Sequence, residues 1–272
     1  MGLRTALLLT LTLLSATLHA DKRERTPAYI LSEPDEYIEP LPQGAPHRSP
    51  EVSFTQRNII SRHRLSNRRG IDVSHYQGSI NWRNVAIDEH ASYVYIKATE
   101  SSSLVDNMYR QNLRGARAAG IPAGTYHFFS PTTSVTTQLL NLTSAMPDLR
   151  EQDLIPMVDV ETHGKTPVAE FRQRLRQFLR GIEERYGVRP IIYTGANFFN
   201  KYLAGYFDDY LFMIAKYADT LPDLNGNPKF AIWQYSSHGQ VAGIRGYVDL
   251  SRFVDNYDLR DIMLPSAASP RR

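Results

Sequence analysis

Leu154-Ile-Pro-Met-Val-Asp-Val-Glu161 is an apolar run that ends in two carboxylates placed two residues apart. Its length and content predict a buried strand. On a strand, Asp159 and Glu161 share one face while Val158 and Val160 take the other. Two carboxylates roughly 6 Å apart, at an effective dielectric of about 20, repel by on the order of 3 kcal/mol before screening. That is enough to hold one of them protonated near neutral pH. A protonated acid beside an ionised one is the pairing that glycosidic bond cleavage uses. Asp-x-Glu alone also fits a strand that ends in polar residues at a sheet rim, so the flanking sequence has to decide.

Outward from this run the texture repeats. Short apolar stretches at Gly70–Val73, Tyr93–Ala98, Ala123–Phe128, Leu154–Val160, Pro190–Thr194, Leu211–Lys216, Phe230–Tyr235 and Gly246–Leu250 read as eight strands. Amphipathic segments lie between the earlier ones. The clearest follows Thr166-Pro167, a cap and a first-turn proline, with Phe171, Leu175, Phe178, Leu179, Ile182 and Tyr186 at helical spacing and Gly187 as the stop. Helices are also expected over about 107–119 and 134–146, ended by Gly120 and Pro147. Alternating strands and helices predict an α/β fold with a parallel sheet, and eight strands predict closure into a barrel. The late connections, Leu221-Pro-Asp-Leu-Asn-Gly-Asn-Pro228 and Ser236 to Arg245, are too short or too turn-rich for helical crossovers. The expectation is a modified TIM-like barrel with fewer than eight helices, whose last strands lack helical crossovers and include antiparallel pairing.

The barrel accounts for residues 69–265 of the 272, with 266–272 as a tail. Arg4, the apolar stretch Thr5 to Leu18 and Ala20 before the charged Asp21-Lys22-Arg23 follow the order of a secretory signal peptide, expected over 1–20. Secretion to a periplasmic or extracellular space follows. The apolar stretch is short for a retained membrane anchor. Residues 21–68, rich in Pro, Glu and Arg, read as a linker or leader without a packed core, ending in a basic stretch from Arg57 to Arg69. No cysteine is present, so neither a disulfide nor a thiolate-held metal stabilises the chain, and stability rests on its core. A net charge of +3 and a pI near 9.0 suit anionic surfaces such as cell walls, although a charge this small is ordinary for the chain length.

In parallel barrels the working residues sit at the carboxyl ends of strands. Asp72 ends the first strand, Asp159 and Glu161 the fourth, and Asp249 lies near the end of the eighth, beside the first in a closed barrel. Four carboxylates at one mouth are hard to explain structurally and natural for a sugar hydrolase. Tyr126, Tyr193, Tyr217 and Trp233, also at strand ends, offer the aromatic faces and polar edges that carbohydrates favour, although each alone is as readily a core residue.

Over about residues 69–262 the sequence resembles the glycoside hydrolase family 25 lysozymes, the Chalaropsis-type muramidases. The resemblance rests on Gly70-Ile-Asp-Val-Ser-His-Tyr-Gln-Gly78 with Ile80-Asn-Trp82, Tyr95-Ile-Lys-Ala-Thr-Glu100, Gly124-Thr-Tyr-His-Phe128, Pro156-Met-Val-Asp-Val-Glu161, Ile192-Tyr-Thr194, Ile214-Ala-Lys-Tyr217, Ile232-Trp-Gln-Tyr235 and Val248-Asp-Leu250, in that order. It implies an eight-stranded barrel with fewer helices and cleavage of the β-1,4 bond between N-acetylmuramic acid and N-acetylglucosamine in peptidoglycan. It also implies a retaining reaction without metal or organic cofactor. A monomer is the default for an enzyme that must reach a polymeric wall, no segment beyond the first twenty residues could span a bilayer, and the scattered basic residues do not form a nucleic-acid pattern. Carried over by position, Glu161 is the general acid. Asp159 is its partner, either stabilising charge or orienting the substrate's acetamido group, which the spacing does not decide. Asp72 and Asp249 lie opposite, and Lys97 and Gln234 join the tyrosines and Trp233 as substrate contacts. Ser101 departs from the glycine that often follows the Thr-Glu pair.

Rival readings fit less well. A chitinase-like enzyme has a further Asp two residues before the Asp-x-Glu pair, where this chain has Met157. A metal-dependent hydrolase drawing on Asp72, His75, His127, Asp159 and His163 lacks paired-histidine spacing. Gly164-Lys-Thr166 lacks the leading glycine of a phosphate loop, and no Gly-x-Ser-x-Gly elbow occurs. A non-catalytic peptidoglycan-binding module has no use for an adjacent acid pair. Asn141-Leu-Thr143 is a glycosylation sequon only in a eukaryotic host, and chance occurrence explains it better.

Overall fold

The computed structural model describes residues 68–146, 148–150 and 153–264. The expected signal peptide, nearly all of the leader and the tail lie outside them. Nine strands form one sheet: β1 (Arg69–Val73), β2 (Tyr93–Glu100), β3 (Leu104–Val105), β4 (Ala123–Phe128), β5 (Met157–Asp159), β6 (Ile191–Gly195), β7 (Leu211–Ala215), β8 (Lys229–Gly239) and β9 (Val248–Phe253). Eight of them close a barrel in the order β1, β9, β8, β7, β6, β5, β4, β2, with β2 pairing back to β1, and β3 hangs on the outer edge of β2. Pairing is parallel from β1 through β2 and β4 to β8. Strand β9 runs antiparallel to both β8 and β1. Six helices accompany the strands among the described residues: α1 (Trp82–Val85), α2 (Tyr109–Ala118), α3 (Val135–Ala145), α4 (Val168–Tyr186), α5 (Ala196–Phe198) and α6 (Leu259–Ile262). This is the expected α/β barrel with fewer than eight helices.

Helix α4 follows its periodicity: Phe171, Leu175, Phe178, Leu179 and Ile182 are fully buried, each stabilising the fold by roughly 1.5–3 kcal/mol relative to exposure. Gly187 closes it at φ 69°. Its start differs from expectation. Pro167 itself holds the cap position, and the Thr166 hydroxyl donates to the Pro131 carbonyl instead of capping the helix.

Period-two alternation divides the barrel residues between two cores. Ile71, Val94, Ile96, Val158, Ile192 and Phe212 face the helices. Tyr93, Tyr95, Met157, Ile191, Met213, Ile232 and Phe253 fill the interior, with Leu259 and Ile262 of α6 packed beneath. The interior tyrosines fit because glycines face them: a Cβ on Gly70 would lie 2.2 Å from the Tyr93 ring, and one on Gly124 would lie 2.3 Å from that of Tyr95. Strand β5 is shorter than the expected Leu154–Val160. Leu154 forms an isolated bridge to Met263, and Ile155 donates to the Ile262 carbonyl, so the C-terminal segment has claimed the first residues of the run.

A bulge in β2 governs the rim. The register with β4 shifts between Lys97 and Thr99, so two residues of β2 oppose one of β4 and Glu100 returns to the face of Lys97. The two side chains then meet at 2.7 Å. Ser101, where the resemblance led us to expect Gly, has φ 52°, a conformation that favours glycine. Its loop is held by the Asn141 amide, which donates to the carbonyls of Ser101 (3.1 Å) and Leu104 (3.1 Å). The sequon asparagine therefore ties α3 to the β2–β3 turn.

Behind β4 the fully buried His127 lies between Thr99 (2.7 Å from Nδ1) and Gln138 (3.3 Å from Nε2). Burial lowers its pKa to about 4. Above pH 6.5 the ring is neutral whether the chain is folded or not. As pH falls from 6.5 towards 4 the unfolded chain gains a proton that the folded one refuses, and about 3 kcal/mol of stability is lost. Urea melts of wild type and His127→Gln between pH 7 and pH 4 should show that part of the acid destabilisation disappearing in the variant. Parallel losses in both proteins would refute it.

Candidate active site

The mouth at the carboxyl ends of the parallel strands collects the four carboxylates. Asp72 is the fourth residue of β1, Asp159 the last of β5, and Glu161 lies two residues past the strand, its approach fixed by the Val160 amide donating to the Tyr193 carbonyl at 2.9 Å. Asp249 corrects the expected boundary. The last strand begins at Val248, so Asp249 stands near its start and reaches the same mouth because β9 runs in reverse. In that antiparallel register Asp249 pairs directly with Asp72. Like charges directly opposite each other destabilise a sheet, so packing alone gives no reason for this pair.

Two tyrosines report the convergence. The Tyr126 phenol is held well above its usual range, first by burial and then by the charges of Asp159, Asp72, Asp249 and Asp106. Tyr193 is raised likewise, by burial, by Tyr217 and by the charges of Glu161, Asp159 and Asp249. Both remain neutral hydroxyls at any working pH. Gln234 links the two sides: its Oε1 accepts from Tyr193 Oη (2.9 Å) and Tyr217 Oη (3.0 Å), and its Nε2 donates to Asp72 Oδ2 (3.1 Å). The phenols must donate and the carboxylate must accept, which fixes the amide's orientation. Asp72, Asp159 and Gln234 are buried, Tyr217 is about half exposed, and Glu161 and Asp249 are partly open to solvent. Lys97 sits at the rim, paired with Glu100 and 5.5 Å from the Phe128 ring centroid.

Trp233 lies elsewhere. Alternation along β8 turns it away from the face of Gln234, onto the outer side where it opposes Arg252. It is 2 % exposed, its indole N–H donates to the Lys216 carbonyl, and the Arg252 guanidinium lies 4.7 Å from its ring centroid. The expected sugar platform is a packing residue. The histidines of the metal reading are not brought together either: His127 lies behind β4, and His163 packs against Tyr202 and Phe171. Among the described residues no group of three or more His, Asp or Glu is placed to hold a metal ion.

Asp106 is a residue that the sequence reading missed. Its side chain is wholly buried and near enough to act on Tyr126, and it accepts from the His75 amide (3.0 Å), His75 Nδ1 (2.7 Å) and the Met108 amide (2.9 Å). The signal available was an Asp just ahead of a helix, which reads as a cap.

Comparison with known proteins identifies the family. The family model described as glycosyl hydrolases family 25 matches residues 71–244. The chain is 40% identical over 188 residues to the protein YegX of Escherichia coli O6:H1, covering 68% of each. It is 32% identical over 198 residues to lysozyme M1 of Streptomyces globisporus, covering 68% of this chain and 67% of that one. The crystal structure of the bacterial lysozyme from Streptomyces coelicolor superposes with a TM-score of 0.64 at 32% identity, over 69% of this chain and 92% of that one.

Proposed function

The chain belongs to glycosyl hydrolases family 25 and is a glycoside hydrolase, and from that premise we propose that it is a secreted N-acetylmuramidase. It hydrolyses the β-1,4 bond between N-acetylmuramic acid and N-acetylglucosamine in peptidoglycan, acting as a monomer on a polymeric wall. The carrying observation is the four carboxylates at one barrel mouth, two of them directly paired across β1 and β9. Similarity to proteins named lysozyme supports the substrate. The order of a basic residue, an apolar stretch and a small residue over 1–20 supports secretion.

In this reading Glu161, partly open to the mouth, protonates the glycosidic oxygen as the bond breaks. Asp159, buried and rigid beside it, holds the muramic acid acetamido group for attack on the anomeric carbon, so the configuration there is retained after water completes the cycle. Asp72, braced by Gln234, and Asp249 stabilise positive charge on the ring from the other side. Tyr126, Tyr193, Tyr217, Gln234 and Lys97 bind sugar. The chitinase alternative lacks the further acid two residues before Asp159, because that position is Met157, packed in the barrel interior.

The test is digestion of purified peptidoglycan, borohydride reduction and identification of the reduced sugar. Reduced N-acetylmuramic acid is expected, and reduced N-acetylglucosamine would overturn the bond assignment. Proton NMR of the first product should show the β-anomer. An α-anomer formed first would exclude the acetamido route.

A further inference from the structure

Beyond the carboxylates, the turn after β1 carries a ledge that the catalytic reading leaves unused. Ser74 and Gln77 cap a single 3-10 turn (His75–Gln77) in both directions, with the Ser74 amide donating to Gln77 Oε1 at 2.8 Å. The turn presents Tyr76 to solvent with 69 % of its surface open, and the His75 ring packs on it at 4.1 Å between centroids. Asp106 holds His75 from below through both its amide and Nδ1. Gln77 Nε2 then donates at 3.3 Å to the carbonyl of Tyr247, another exposed tyrosine, whose ring meets His238 at 5.0 Å.

A buried carboxylate is costly to keep and here serves to fix a pair of rings that face water. Because a carboxylate accepts, Nδ1 of His75 is the donor of that pair, which leaves the Nε2 edge of the ring for another polar partner. Two exposed aromatic faces with hydroxyl and imidazole edges match a pyranose, whose C–H face packs on a ring while its equatorial groups hydrogen-bond at the sides. The turn begins three residues after Asp72, so the ledge continues the same mouth outward.

We propose that Tyr76, backed by His75 and Asp106 and continued by Tyr247, forms a glycan subsite for an N-acetylhexosamine unit away from the bond being cleaved. The assignment rests on the muramidase reading, and its test separates the two. Peptide-free glycan strands, long and short, are given to wild type, Tyr76→Ala, Tyr247→Ala and a control, Tyr206→Ala, whose exposed ring packs against Arg172 instead. Truncating an anchoring ring should lower the preference for long over short strands about tenfold, through KM, with the control unaffected. Equal losses on both lengths, or none on either, would overturn the subsite, as would an effect seen only on peptide-bearing wall, which would assign the ledge to stem peptide. Binding of the same long strands to Glu161→Gln, measured by NMR with and without Tyr76→Ala, gives a reading independent of turnover. If wild type cleaves nothing, the muramidase reading fails, and the ledge stands or falls on whether Tyr76→Ala weakens that binding.

Discussion

Glu161→Gln is expected to lower kcat on peptidoglycan glycan about 1,000-fold, the middle of the range for losing a positioned general acid, with KM and the melting temperature nearly unchanged. Glutamine keeps the shape and the hydrogen bonds but has no proton to give. Because Glu161 is only partly buried, the amide of the same shape leaves no stranded buried charge, so the fold should tolerate the change. The chemical signature is leaving-group dependence. A glycoside whose aglycone departs as a stable anion needs little protonation, and on such a substrate the deficit should shrink by an order of magnitude or more. A loss below tenfold on the natural glycan, or one that ignores the leaving group, would remove Glu161 from the acid role.

The balance of like charges makes the site readable as a site. Asp72 and Asp249 are direct cross-strand partners, a like-charged pairing of the kind that destabilises a sheet. A sheet selected only for stability would not keep it. The Gln234 amide offsets part of the cost by donating to Asp72, and it is itself oriented by two phenols, of which Tyr193 has its ionisation suppressed by burial. Charge, donor and orienting hydroxyls therefore form one connected group whose arrangement is set before any substrate arrives.

What was legible in the sequence followed local periodicity. Helix α4 declared itself because its apolar face repeats over five turns, and the parallel strands did so because both their faces are buried and read as continuous apolar runs. What escaped depended on partners remote in sequence. The β5 run lost its first residues to the C-terminal segment, a competition invisible in Leu154-Ile-Pro156 itself. The start of β9 depended on the register of the β8–β9 hairpin, which bulges near Gln234 and Ser236. Trp233 failed as a sugar platform for the most local of reasons. It neighbours Gln234, and adjacent strand residues face opposite ways, so a motif that names both assigns them to different sides of the sheet. Asp106 escaped because a capping aspartate and a buried orienting one look alike until His75 is placed against it.

Asp159→Asn should cost 100- to 1,000-fold in kcat, the range seen when one preorganised polar contact to the transition state is removed, and its pattern can say what the carboxylate does. The backbone at Asp159 is locked on both sides: β5 pairs it with Phe128 and Tyr193, and its carbonyl accepts from the Phe129 amide at 2.9 Å. The substitution therefore changes charge at a fixed position. If Asp159 orients the acetamido group, its contribution exists only when that group is present. Wild type should act poorly on strands whose muramic acid is de-N-acetylated, and Asp159→Asn should add little further loss on them. The two deletions are then strongly non-additive, as expected for groups that act as one unit. If Asp159 instead stabilises the oxocarbenium ion through space, the variant's deficit should be the same on both substrates. Steady-state rates for the two enzymes on the two glycans complete this cycle, and additive losses would take Asp159 away from the acetamido group while leaving Glu161 as the acid.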